Sequence, residues 1–265
     1  KINLNLKSIE AFKLISNSSI RKIESESNLL RYKTGHPICN KKDLIPNTIL
    51  IILSGKARLL YGTTFQSTTI TKISSNSFIG LASLLRVKGC ELITASNDVL
   101  ALAIPDSLIL YLYKNEQEFR NWCNTNFLQA ELLELAIHLN KESSNYESDE
   151  NIKSIFNQLL NNIKLSIFNN GEKISGKGDY INFAASANIA KKKIGDLIQN
   201  NEEILTNGPL PARVFAIHKK LYHELISNKN KTELANTDVE NDLKIDIGPD
   251  IFDSSTEELG IYSPK

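Results

Sequence analysis

The chain has 265 residues, 41 % of them apolar and 23 % charged, and 31 Lys/Arg against 30 Asp/Glu leave a formal net charge of +1. That length holds one large domain or two smaller ones with a real core. The charge balance excludes a polybasic nucleic-acid coat and a wholly acidic disordered chain, and no apolar run approaches the ~18 residues of a membrane-spanning helix. Cys39, Cys90 and Cys123 are odd in number, far apart and in no CxxC pair, which points to free thiols in a reducing, cytoplasmic compartment. The opening Lys1-Ile2-Asn3, with no Met anywhere and no charged-then-apolar leader, reads as a piece of a longer protein without a secretory signal. Asn and Lys are abundant even in stretches that look folded, which reads as drift toward AT-rich codons. The clusters Lys41–Lys42 and Lys191–Lys193 therefore carry little weight.

Taken in chain order, residues 8–15 (SIEAFKLI) have the spacing of a short amphipathic helix. From about residue 28 to 104, six short segments rich in Ile, Leu, Thr and Tyr read as strands: 29–33, 48–53, 57–61, 68–73, 92–96 and 99–104. Turn signals separate them, at Thr34-Gly35, Pro46-Asn47, Ser54-Gly55, Tyr61-Gly62 and Asn97-Asp98. Short strands at roughly 8–12-residue spacing predict an antiparallel sandwich or roll. Residues 106–114 and 115–141 then look helical. In the second, Phe119, Trp122, Cys123, Phe127, Ala130, Leu133 and Ile137 form one apolar stripe, either packed on the roll or forming a dimer or interdomain seam. The polar stretch 141–151 marks an internal boundary. Beyond it, 151–168 has helical spacing through Ile163 and Ile167, followed by a Gly-containing stretch, a strand at 180–186, a short helix at 190–198 and the segment 210–226. Residues 227–265 hold four Lys against nine Asp/Glu, a net of −5, and sustain no apolar period, which predicts a flexible acidic linker or tail.

Three segments carry a resemblance. RYKTGHPI (31–38) is similar to the Y-x-x-G-x-x-I opening of the cyclic-nucleotide-binding domain superfamily, with Gly35 in the turn. ILIILSGKARLLY (49–61) is similar to its apolar strand, Ser-Gly turn at Gly55 and next strand. FIGLASLLR (78–86) resembles the phosphate-binding cassette, and 93–104 the strand pair after it. The resemblance implies an α+β architecture: a cyclic nucleotide-binding-like jelly roll with its following helix over 1–140, a smaller mixed helical and strand region over 150–226, and the acidic segment 227–265.

In that family the cyclic phosphate sits at the N-terminus of a short helix, where free N–H groups and the helix dipole favour an anion, while a Glu takes the ribose hydroxyl and an Arg pairs with the phosphate. Here the cassette glycine is Gly80, and Ala82 and Ser83 fit the helix. The ribose-Glu slot, however, holds Leu81, and the Arg slot falls at Cys90-Glu91. Each lost charge-assisted hydrogen bond is worth roughly 1.5–3 kcal/mol, so losing both weakens binding by orders of magnitude. Arg86 and Lys88 are the cations near enough in sequence to stand in. The degenerate pocket (Gly80, Leu81, Ala82, Ser83, Arg86, Cys90, Glu91) is expected not to bind cAMP or cGMP, and its residues offer a surface for a peptide or another small ligand.

The pattern G-L-A-S-L-L-R-x-x-x-C-E-x-x-x-A-S also resembles the cassette in the N-terminal cytosolic region of cyanobacterial peptidase-containing ABC exporters of the type I secretion class. In that family a roll, a helical segment, an L-P-x-R strand (Leu210-Pro211-Ala212-Arg213 here) and an acidic linker precede peptidase, transmembrane and ATPase domains. The resemblance implies a non-catalytic regulatory module that contacts those domains or cargo, or pairs as a homodimer. The alternative is a catabolite-activator-like transcription regulator dimerising through 127–139, with a helix-turn-helix at 185–205. That segment ends in acidic QNNEEIL, and the acidic tail opposes DNA, so nucleic acid is not an expected partner.

No cofactor, metal or catalytic residue is expected. His218 and His223 are five apart, one step too far for a helical metal pair, and GEKISGKGD lacks the spacing of a phosphate-binding P-loop. No peptidase signature surrounds Cys39 or Cys90, and Cys123 reads as a buried inert thiol.

Overall fold

The computed structural model describes residues 5–40, 44–62, 66–142, 148–175 and 178–227. Where the sequence predicts a helix over 8–15, the chain instead makes two 3-10 turns, Leu6–Ser8 and Glu10–Phe12. The large side chains buried there are Leu6, Ile9, Phe12 and Ile15, three apart, the period of a 3-10 turn, with the small Ala11 buried beside Phe12. Helix α1 (Asn17–Glu26) follows, unforeseen because its sequence is almost wholly polar. The Ser16 hydroxyl caps it by accepting from the Ser19 N–H. The Glu116 carboxylate then ties this end down, accepting from the hydroxyls of Ser16 and Ser19, each at 2.5 Å.

Eight strands follow: β1 (Asn28–Tyr32), β2 (Pro37–Cys39), β3 (Thr48–Ser54), β4 (Ala57–Gly62), β5 (Ser67–Ile73), β6 (Phe78–Ile79), β7 (Ile93–Ala95) and β8 (Val99–Pro105). Between β6 and β7 lies helix α2 (Leu81–Leu85). They form two antiparallel sheets ordered β1-β8-β3-β6 and β2-β7-β4-β5. That interleaved order is the double-sheet jelly roll, with all six predicted strands present. In β3 the side chains alternate between two cores. Leu50 and Ile52 join the roll interior, while Ile49 and Ile51 join a second cluster with the N-terminal turns and the helices that follow. With both faces covered, this strand reads as continuously apolar.

The β3–β4 turn depends on Gly55. Its φ is +91°, and a Cβ there would lie 2.2 Å from the carbonyl oxygen of Asp98. Holding an L-residue in such a region costs about 1–3 kcal/mol, and the backbone contact adds to it. Gly55→Ala should lower the denaturation midpoint accordingly; a variant that unfolds with the wild type would show that this turn can yield.

Helices α3 (Asp106–Asn115), α4 (Gln117–Thr125), α5 (Gln129–Glu142) and α6 (Asp149–Leu160) come next. The single helix predicted over 115–141 is thus broken at 126–128. The stripe is divided as well: Phe119 and Cys123 enter the second core cluster, while Ala130 and Leu133 enter the roll's. Packing inside the chain accounts for these four, while Trp122, Phe127 and Ile137 are only partly buried. The helix predicted over 151–168 ends at Leu160, and Lys164–Phe168 is strand β9.

Strands β10 (Glu172–Lys173), β11 (Tyr180–Ala184), β12 (Leu197–Ile198), β13 (Glu203–Ile204) and β14 (Ala212–His218) and helix α7 (Lys219–Ser227) complete the described residues. They build a sheet ordered β12-β11-β14-β9 and a small β10-β13 pair. Residues 185–206 are turns and short strands, so neither the helix predicted at 190–198 nor the helix-turn-helix forms. Gly195 lies there with φ +92°, against the ring of His138. The L-P-x-R segment leads into β14, the central partner of β11 and β9. Phe183, Phe215 and Ile217 from this sheet share one core cluster with the roll interior and with α5 and α6. The acidic segment lies outside the described residues from 228 onward, as do Lys41–Lys42 and part of the polar break at 141–151.

Candidate ligand cradle

Helix α2 begins at Gly80, whose φ of +92° turns the chain off β6; a Cβ there would press on Pro46 at 2.8 Å. A helix start leaves backbone N–H groups without partners, and an anionic group is the natural partner for them. The residue that fills this position is Glu91. Its Oε1 accepts from the Gly80 N–H at 2.8 Å, and its Oε2 accepts from the Ser83 hydroxyl at 2.6 Å and the Ser83 N–H at 3.3 Å. The Ser83 hydroxyl also accepts from the Cys90 N–H at 3.2 Å, which locks the loop onto the helix. Glu91 is 2 % exposed. Burial pushes its carboxyl above the usual carboxylate range, against the opposing pull of the Ser83 hydroxyl and the two N–H groups.

Gly80, Ser83, Cys90 and Glu91 are therefore brought together. Leu81 and Ala82, grouped with them on sequence grounds, are fully buried in the two apolar cores. Arg86 leaves the cradle altogether and does not stand in for the missing cation. Its side chain is wholly buried, with Nε donating to the Ala185 carbonyl at 2.6 Å and Nη2 paired with Glu134 on α5. Its own carbonyl accepts from the Ala187 N–H at 2.8 Å. Lys88 is also turned to Glu134, at 3.2 Å. Both cations near the cassette thus bind α5 rather than the cradle. Glu91 itself, which falls where the resembling family has an Arg, acts as a partner for the helix start.

A second arginine performs a related task. Arg213 at the start of β14 is 2 % exposed and forks onto Glu131 of α5, Nε to Oε2 at 2.7 Å and Nη2 to Oε1 at 2.8 Å. Its remaining donors reach the carbonyls of Cys123 at 2.9 Å and Asn126 at 3.2 Å, the free carbonyls at the end of α4. Glu131 also accepts from the Leu128 N–H at 3.0 Å, capping α5. Sequence reasoning missed both glutamates as partners. The signal was available, since Glu131 and Glu134 interrupt the apolar run of 130–137, and a carboxylate on a buried face needs a cation.

Cys90 and Cys123 are buried, and burial pushes each thiol up to about 12. A thiol reagent at neutral pH should modify the half-buried Cys39 first and reach the other two only in denaturant. An absorbance titration that counts more than one fast thiol in the native protein would contradict this.

No family model and no curated protein matches the chain. Solved structures similar to it include the sensor domain of the transcriptional regulator DNR from Pseudomonas aeruginosa, at 12 % identity and TM-score 0.40, over 44 % of this chain and 79 % of that one. The regulatory domain of Toxoplasma gondii PKA with cAMP matches at 9 % identity and TM-score 0.39, over 87 % and 94 %. A cyclic nucleotide-binding domain from Methylobacillus flagellatus matches at 18 % identity and TM-score 0.36, over 43 % and 68 %. At such scores these likenesses carry no weight for function, and the jelly roll with flanking helices stands on its own strand order.

Proposed function

We propose that this protein is a non-catalytic regulatory or interaction module whose roll has exchanged a cyclic-nucleotide receptor site for an internal ligand. The observation that carries this reading is the Glu91 carboxyl on the Gly80 and Ser83 N–H groups, the position in which the resembling family holds its phosphate. A cyclic phosphate entering there must displace a buried carboxyl, finds the nearby cations Arg86 and Lys88 engaged by Glu134, and meets Leu81 where a ribose partner is needed. Signals leave such a module through contacts. Arg86 and Arg213 tie the cassette and the second sheet to the same helix, α5.

The finer reading is the N-terminal cytosolic part of an ABC exporter of the type I secretion class. It is supported by the cassette pattern ending in Cys90-Glu91, by an L-P-x-R segment that enters β14, and by the acidic composition that follows. The test is the native gene beyond the codon for Lys265. A peptidase domain followed by transmembrane and ATPase segments is expected, and a reading frame that runs into a DNA-binding domain would overturn the exporter assignment.

A further inference from the structure

On the outer face of the β2-β7-β4-β5 sheet lies a depression of about 220 Å³, lined by Asn40, Arg58, Leu60, Ser67, Thr69 and Thr94 among others. The sheet register explains why these side chains meet. Ala57 and Leu59 of β4 are buried inside the roll, so the alternate residues Arg58 and Leu60 face outward. Arg58 sits directly opposite Thr94 on β7, and Leu60 opposite Thr69 on β5. The Nε of Arg58 is shut off from solvent and has no hydrogen-bond partner among the described residues. No ion pair among those residues includes Arg58.

A second cation sharpens the point. Lys72 lies directly opposite Arg58 across the β4–β5 ladder, exposed and on the same face. Like charges facing each other across an antiparallel pair repel, and no described carboxylate lines the depression to offset them. The rest of the polar lining, three hydroxyls and one amide, is neutral and able to donate. A guanidinium that lines the depression and joins no ion pair among the described residues matches a phosphate or carboxylate group. The volume is smaller than the several hundred Å³ of a drug-sized pocket, which limits the ligand to a small one.

We propose that this depression binds a small multivalent oxyanion, a phosphate monoester or a polycarboxylate, held by Arg58 and the surrounding hydroxyls with Lys72 at its rim. This does not depend on the exporter reading or on the state of the cradle. The test titrates inorganic phosphate and citrate, separately and at constant ionic strength, into the protein while following the Arg58 Nε–H resonance by NMR and the melting temperature. The expected result is a saturable shift of that resonance at millimolar anion, with a rise in melting temperature. In the variants, which lack that resonance, the melting temperature is the readout: the anion concentration giving half of the maximal rise should increase at least about tenfold in Arg58→Gln, with Arg58→Lys between the two. Whichever of phosphate and citrate saturates at lower concentration names the ligand class. An unmoved or linearly drifting resonance with both anions, or an equal rise in melting temperature in Arg58→Gln, would overturn the proposal.

Discussion

Replacing Arg213 by Ala should lower the unfolding free energy by about 3–5 kcal/mol, because it strands the fully buried Glu131 carboxylate without its cation. The same change frees the carbonyls of Cys123 and Asn126 at the end of α4. Arg213→Lys should recover little of the loss, since an ammonium cannot make the two parallel bonds to Glu131 and also reach both carbonyls. The double variant Arg213→Ala, Glu131→Ala should lose clearly less than the sum of the single losses, which identifies the pair as the source. Denaturant titration of the four proteins measures this. Additive losses would show that the two side chains act independently.

Arg86 is the second position where a large effect is expected. Arg86→Ala removes a wholly buried guanidinium that links the end of α2 to the Ala185 carbonyl and to Glu134. The loss should be about 3 kcal/mol, somewhat below that at Arg213 because Lys88 still faces Glu134. The location of the damage distinguishes the two. Amide exchange should rise first at 185–187, where the Arg86 carbonyl holds the Ala187 N–H, with the β3 and β8 ladder slowest to change. Uniform acceleration across the roll would contradict this linking role.

What the sequence conveyed follows from how far each determinant lies along the chain. The roll was legible because its strands are specified locally. Isoleucines and threonines alternate between Gly and Asn turns, and Gly55 and Gly35 both adopt the positive φ that such turns need. The errors are tertiary in origin. Residues 115–141 have an unbroken helical period, yet the chain opens at 126–128, where Arg213 reaches in from 87 residues away. Ile163 and Ile167 continue the spacing of α6, but pairing with β14 draws 164–168 into a strand. At 190–198 helical spacing loses to a turn in which Gly195 packs on His138. The cradle shows the same division. Gly80, Ser83, Cys90 and Glu91 could be grouped through the resemblance of 78–91 to a phosphate-binding cassette, while the task of Glu91 could not be foreseen. A carboxylate at an arginine slot reads as repulsion until the free N–H groups of Gly80 and Ser83 are seen to hold it.

The occupation of the cradle by Glu91 is best tested by isothermal titration calorimetry of the wild-type protein with cAMP and with cGMP. No saturable heat is expected from either at millimolar concentration. A micromolar dissociation constant for either nucleotide would mean that the carboxyl gives way to a phosphate, and the central claim would fall.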